Sequence, residues 1–323
     1  MQAHDLLQGW IAYTSDRSGT FDIWLYRPQD SFSFQLTQGL GAAFSVPYWS
    51  PDSRRIAFTG IGNVVYLLDI GTLAVSRIDQ IEPYTLLDWS PDSRFLAYVK
   101  NGQIVIYDTF SHRSYAIPMA GASDVQWFPS GTELLFAAPD TNGNTQLFRI
   151  RIDGADRRQI TQNTDGPLHD VRLSPDGAFA LYTFPGASIS IISTVDLTNG
   201  TIRTLEGGPL AKNYFPIWSP DSLSIAYSAT AYKEPNYYSL VQIDNRIGQK
   251  QRTLAVSDCF AAPVSWSPDG GKIAYLSGCA GIEQASQIWI VDIREPKPVK
   301  VLSGGRITAL QWSPRVRRVS FIH

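Results

Sequence analysis

Histidine, methionine and cysteine are scarce in this chain, at 4, 2 and 2 among 323 residues. His4 and His323 sit near the ends, and neither they nor His112 and His169 pair at metal-ligand spacing, so no metal is expected. A Gly-x-Ser-x-Gly elbow is missing, which removes the nucleophile of a serine hydrolase. No glycine-rich phosphate loop follows a strand and opens a helix, so no nucleotide cofactor is expected either. Long apolar runs are absent too: nothing approaches the roughly 20 residues that cross a bilayer, which argues against direct membrane insertion. Charge of one sign is not in excess, with 27 basic against 29 acidic residues, and this gives no electrostatic reason to expect nucleic acid. The local groups Arg157-Arg158 and Arg315-Val316-Arg317-Arg318 are read as solvated strand ends. The start, "MQAHDLLQGWIAYTS", lacks the basic head and apolar core of a signal peptide. That leaves either a cytoplasmic protein or one whose signal has been removed.

What the chain has in abundance is one phrase. Trp-Ser-Pro-Asp, or a worn form of it, recurs at Trp49, Trp89, Trp127, Leu173, Trp218, Trp266 and Trp312, at spacings of 40, 38, 46, 45, 48 and 46 residues. Between anchors the apolar residues alternate by two, as in strands, rather than by three and four. A period in the forties filled with short strands is the signature of propeller blades. The unit at Trp89 parses into strand a "TLLDW" (85–89), b "FLAYV" (95–99), c "QIVIYD" (103–108) and d "RSYAI" (113–117). In the Ser-Pro-Asp-Gly/Ser turn, proline presets the first central position of a type I turn and Gly or Ser closes it.

Seven anchors imply seven strands a, yet the last, "TALQW" (308–312), has little chain after it. The N-terminus supplies "WIAYTS" (10–15), "FDIWLY" (21–26) and "FSFQLT" (32–37), which read as b, c and d without an a. The expected fold is therefore an all-β, seven-bladed propeller closed by joining terminal strands, with six or eight blades as alternatives. Residues 1–8 form a tail and 9–323 a single domain. Val319–His323 also resembles a strand b; either it displaces Trp10–Ser15 or the chain is part of something longer.

The stretch "WIAYTSDRSGTFDIWLY…FQLTQG…YWSPDSRRIAFT" resembles the repeat of TolB-type, WD-repeat-like propellers, and the resemblance spans residues 9 to 314. It implies a protein-interaction module, often exported; such propellers also gate peptidases. Two features depart from TolB proteins themselves, which add an α/β domain and have six blades. The Asp16-Arg17-Ser18-Gly19 loop appears complete only once, and other units carry unrelated insertions there, such as "SATAYKEPNYYS" (228–239).

Candidate functional residues lie where the repeat diverges. The residues before each anchor, Tyr48, Asp88, Gln126, Arg172, Ile217, Ser265 and Gln311, are mostly polar and are expected to line a central channel. Asp88 and Arg172 are placed to compensate each other across it. Loops on the d–a side offer Phe44, Tyr84, His169, Tyr214, Phe260 and Arg306 as a rim suited to a protein partner, with carbohydrate as the alternative ligand. A carbohydrate-cleaving site would need a metal or a carboxylate pair among Asp88, Asp124, Asp170 and His169. Asp140–Gln146, "DTNGNTQ", alternates side-chain oxygens like a short calcium loop, but no downstream carboxylate completes it, and a hairpin turn is expected. Cys259 and Cys279 fall in a d–a connection and a b–c loop that leave one blade at the same end, so a disulfide is expected. It points to a periplasmic or extracellular protein, with the cytoplasm left open.

Overall fold

The computed structural model describes residues 9–314 apart from 165, 186–188, 206 and 281–283. These form seven four-stranded antiparallel sheets in a ring, with one short 3-10 turn at Ile61–Asn63. Blades I to VI take consecutive strands, their innermost ones being Tyr48–Trp49, Leu87–Trp89, Ser123–Trp127, His169–Leu173, Asn213–Trp218 and Val264–Trp266. Blade VII joins Ile307–Trp312 to Ile11–Ser15, Asp22–Arg27 and Phe32–Gln35. The fold is thus an all-β seven-bladed propeller, and the first strand b is Ile11–Ser15, paired with the last strand a. Val319–His323 and the basic group at 315–318 lie outside the described residues.

The repeated turn forms through local chemistry. Ser50 N–H is bonded by the Arg55 carbonyl, Ser53 N–H closes onto the Ser50 carbonyl at 2.8 Å, and the Ser50 hydroxyl donates to Asp52 at 2.6 Å. The same hydroxyl-to-aspartate bond recurs at Ser90, Ser174, Ser219 and Ser267. The fourth residue of the turn is left-handed in the six copies where it is described: Gly131, Gly177 and Gly270, but also Ser53, Ser93 and Ser222 at φ of 59°, 62° and 64°. Those serines each reach the preceding blade of the ring. Asp52 N–H donates to Ser93 Oγ and Asp176 N–H to Ser222 Oγ, both at 2.9 Å, while Ser53 Oγ donates to the Pro314 carbonyl. Repetition therefore fastens blade to blade as well as strand to strand.

Packing between blades is aromatic. One position of strand b carries Tyr13, Phe58, Tyr98, Phe136, Tyr182, Tyr227 and Tyr275, each essentially without solvent exposure. The anchor tryptophans hold the inner strands together. Trp89 Nε1 donates to the Tyr48 carbonyl, Trp218 Nε1 to that of Arg172, Trp266 Nε1 to that of Ile217, and Trp49 Nε1 to that of Gln311. Each bond crosses from one strand a to its neighbour.

Blade V is the exception in length. Its strands b and c run Ser224–Lys233 and Asn236–Asn245, with the ladder continuing to Lys233↔Asn236. The segment 228–239, expected as a loop insertion, is thus the outer half of a long hairpin. Strand b stays buried through Ala231, the ladder continues past it on exposed residues, and only Glu234-Pro235 at its tip turns.

Candidate functional site

A channel of about 1620 Å³ runs through the ring. All seven residues before the anchors line it: Tyr48, Asp88, Gln126, Arg172, Ile217, Ser265 and Gln311. Their polarity has a structural reason that the alternation alone did not reveal. Asp88 Oδ2 accepts the Trp127 N–H at 2.6 Å, Gln311 Oε1 the Trp49 N–H at 3.0 Å, and Ser265 Oγ the Trp312 N–H at 2.8 Å. Strand a is the inner edge of its sheet, so its inward N–H groups have no strand partner, and at these three seams the neighbouring blade's side chain supplies one.

Asp88 and Arg172 do not form an ion pair; among the described residues, no carboxylate lies within 4.0 Å of the Arg172 guanidinium. The hydrogen bond to blade III holds Asp88 instead. Burial in the channel wall pushes the Asp88 carboxyl up to about 7, against the Trp127 N–H and the field of Arg172, which pull it down. Burial also raises Asp124, with Arg172 opposing and Asp170 adding to the rise. The tyrosine hydroxyl of Tyr48 is held above its ordinary range, again by burial.

At the d–a end the loops around the channel are built by backbone of an unusual kind. Phe44, Tyr84 and Phe215 have φ of 64°, 62° and 54°, a region bulky residues seldom occupy, and yet they are 51%, 89% and 45% exposed. Asp124 and Asp170 adopt φ of 50° and 52° at the same distance from their anchors as Phe215. In blades III, IV and V the left-handed residue coincides with a bulge in strand a. Phe44 is further held by its N–H, which donates to Thr308 Oγ1 of blade VII. Phe215 was not anticipated; its signal was the aromatic pair in "NYFPIW" directly before a proline.

An apolar recess of about 270 Å³ adjoins this end of the channel, its mouth, and is walled by Phe44, Tyr84, Phe215, Phe260, Ile307 and the two cysteines, among others. Phe44 and Phe215 also face the channel, so the two spaces share a wall. Cys259 and Cys279 are joined as a disulfide with Cα atoms 5.2 Å apart. Asp258 braces both loops, accepting from Ser277 Oγ, Gly278 N–H and Cys279 N–H. From the recess a chain of rings, Phe260, Tyr237 and Tyr232, leads out along the blade V hairpin at centroid distances of 5.5 and 4.9 Å.

The remaining rim residues divide by role. Tyr214 packs on Phe260 at 5.8 Å and is half-buried, and His169 is exposed at the start of strand a of blade IV. Arg306 is engaged: its Nε and backbone N–H both donate to Asp16 at 2.7 Å, which ties the Asp16-Arg17-Ser18-Gly19 loop to the closing strand. His112 lies on the opposite end, against the Tyr107 hydroxyl. Asp140 is enclosed by the N–H groups of Asn142 and Asn144 and by Gln146 Nε2, forming a hairpin turn between strands b and c of blade III. Among the described residues, one group of metal-ligand type is compact, Asp258 with Cys259 and Cys279, and its sulfurs are joined to each other.

The family model for the TolB beta propeller domain matches residues 29–262. TolB from Acinetobacter baumannii superposes with a TM-score of 0.57 at 17% identity, over 95% of this chain and 83% of that one. An oligogalacturonate lyase from Vibrio parahaemolyticus superposes at 0.66 with 16% identity, over 91% and 84% of the two chains. At these identities the likeness is one of fold. A probable dipeptidyl-aminopeptidase B of Emericella nidulans is 26% identical over 120 residues, which is 32% of this chain and only 13% of that protein.

Proposed function

The chain belongs to the TolB beta propeller domain family, and from that premise we propose that it is a non-enzymatic scaffold that binds a protein partner through its d–a and b–c loop face. The observation that carries this reading is the set of exposed aromatic residues held in left-handed backbone around the channel mouth. Such conformations cost on the order of 1–3 kcal/mol each and persist where a site needs them. Large rings presented at low entropic cost beside an apolar recess are what partner hot spots are made of. Support also comes from the name of the superposed TolB protein and from the disulfide, which suits a periplasmic or extracellular setting in an envelope-associated assembly. No described helix is long and apolar enough to cross a membrane.

Pull-down from native envelope fractions tests the site. Tyr84→Ala and Phe215→Ala should each reduce partner recovery at least tenfold, while Leu223→Ala, in an a–b turn at the other end, should not. Equal recovery with all three variants would remove this face from consideration. Carbohydrate is a second reading, favoured by the exposed Tyr232 and Tyr237 beside the mouth. A flat glycan array would dismiss it.

A further inference from the structure

The mouth is chemically two-sided. Five of the seven d–a connections carry a left-handed, non-glycine residue: Phe44, Tyr84 and Phe215, which wall the recess, and Asp124 and Asp170, each the second residue of strand a in blades III and IV. Aromatic faces and carboxylates have one preference in common, since the negative quadrupole of a ring and the charge of a carboxylate both attract cations. Blades III and IV place the two aspartates where blade V places Phe215, so rings and charges share one rim. Asp124 accepts the Val171 N–H and Asp170 accepts from Thr183 Oγ1, which leaves lone pairs on both carboxylates for a further donor. Arg172, two residues after Asp170 in strand a, acts on Asp124 through its field and opposes the rise caused by burial.

We propose that the mouth binds a lysine or arginine side chain of the partner, its stem against Phe44, Tyr84 and Phe215 and its charge facing Asp124 and Asp170. This rests on the reading of the mouth as a partner-binding site. Of the chain's own charged groups, Asp88 and Arg172 line the channel, His169 adjoins Asp170 in the sequence, and Lys212 Nζ lies 5.8 Å from the centroid of the Phe260 ring in the recess wall. The adjoining recess of about 270 Å³ has room for one neighbouring apolar side chain of the same segment.

The test is calorimetric titration of the full chain at about pH 8 with three blocked peptides, acetyl-Leu-Lys-Leu-amide and its Gln and Glu counterparts. The lysine peptide should bind about tenfold more tightly than the glutamine one, and the glutamate peptide more weakly than both. Asp124→Asn and Asp170→Asn should each diminish the preference for lysine over glutamine while leaving the glutamine peptide's affinity unchanged. Tyr84→Ala should weaken all three. Equal binding of lysine and glutamine peptides by the unaltered chain would overturn the cation proposal and leave the partner-binding mouth standing. No binding of any peptide at millimolar concentration would overturn both.

Discussion

Asp88 is a carboxylate that the channel wall holds partly in its protonated form, and this has a sign that can be checked. The unfolded chain releases that proton near the ordinary carboxylate value of 3.8, whereas the folded one keeps it to about 7. The folded state therefore binds more protons across this window, and stability should fall as pH rises from about 4 to about 7. Asp124, raised by the same burial, adds in the same direction. Asp88→Asn keeps an oxygen for the Trp127 N–H and removes the titrating group. Thermal melts of this variant between pH 4 and 8 should show a flatter profile and a higher midpoint at pH 8 than the parent; an unchanged slope would mean that other groups set it. The polarity of Asp88 was legible in the sequence, but its partner was not. Alternation tells which face a side chain takes, whereas the Trp127 N–H lies 39 residues away on another blade.

At the scale of the element, the Ser-Pro-Asp-Ser turn combines a conformational cost with a bond that offsets it. Ser93 at φ 62° sits in a region that favours glycine by about 1 kcal/mol, yet its hydroxyl accepts the Asp52 N–H of the preceding blade. Ser93→Ala loses the bond and keeps the strain, so it should destabilise by roughly 1 kcal/mol. Ser93→Gly loses the bond but relieves the strain and should be close to neutral. Urea unfolding of the pair measures the difference; equal losses would show that the hydroxyl contributes nothing between blades. The turn itself was readable because its chemistry is local, from Pro51 to the Ser50 hydroxyl. The blade V hairpin was not, because "SATAYKEPNYYS" mixes a proline and charges into an alternation that only the pairing of Tyr232 with Tyr237 makes into a ladder.

Across the whole molecule, the ring was legible because seven copies of one signal agree, and its closure followed from counting strands. The mouth was only half legible. Phe44 and Tyr84 stand out as aromatics in loops, but Phe215 and the matching positions of Asp124 and Asp170 emerge only when their shared backbone conformation is seen. The disulfide spans a sequence separation of 20 and clasps the d–a and b–c loops of one blade. Replacing both cysteines by serine should lower unfolding free energy by about 3 kcal/mol in the chain-entropy model. Denaturant melts that coincide with the parent's would show that Asp258 and its hydrogen bonds hold those loops unaided.

Blade VII, assembled from both termini, brings the first and last described strands within one hydrogen bond: Ser313 N–H donates to the Trp10 carbonyl at 2.8 Å. Both points lie at the a–b turn end, away from the mouth. The order in which the blades occur along the chain is therefore separable from the ring they build. A circular permutant with Trp10 and Ser313 joined by a short linker, and new termini opened in a c–d turn such as 109–112, should keep the same seven sheets and leave the mouth unobstructed.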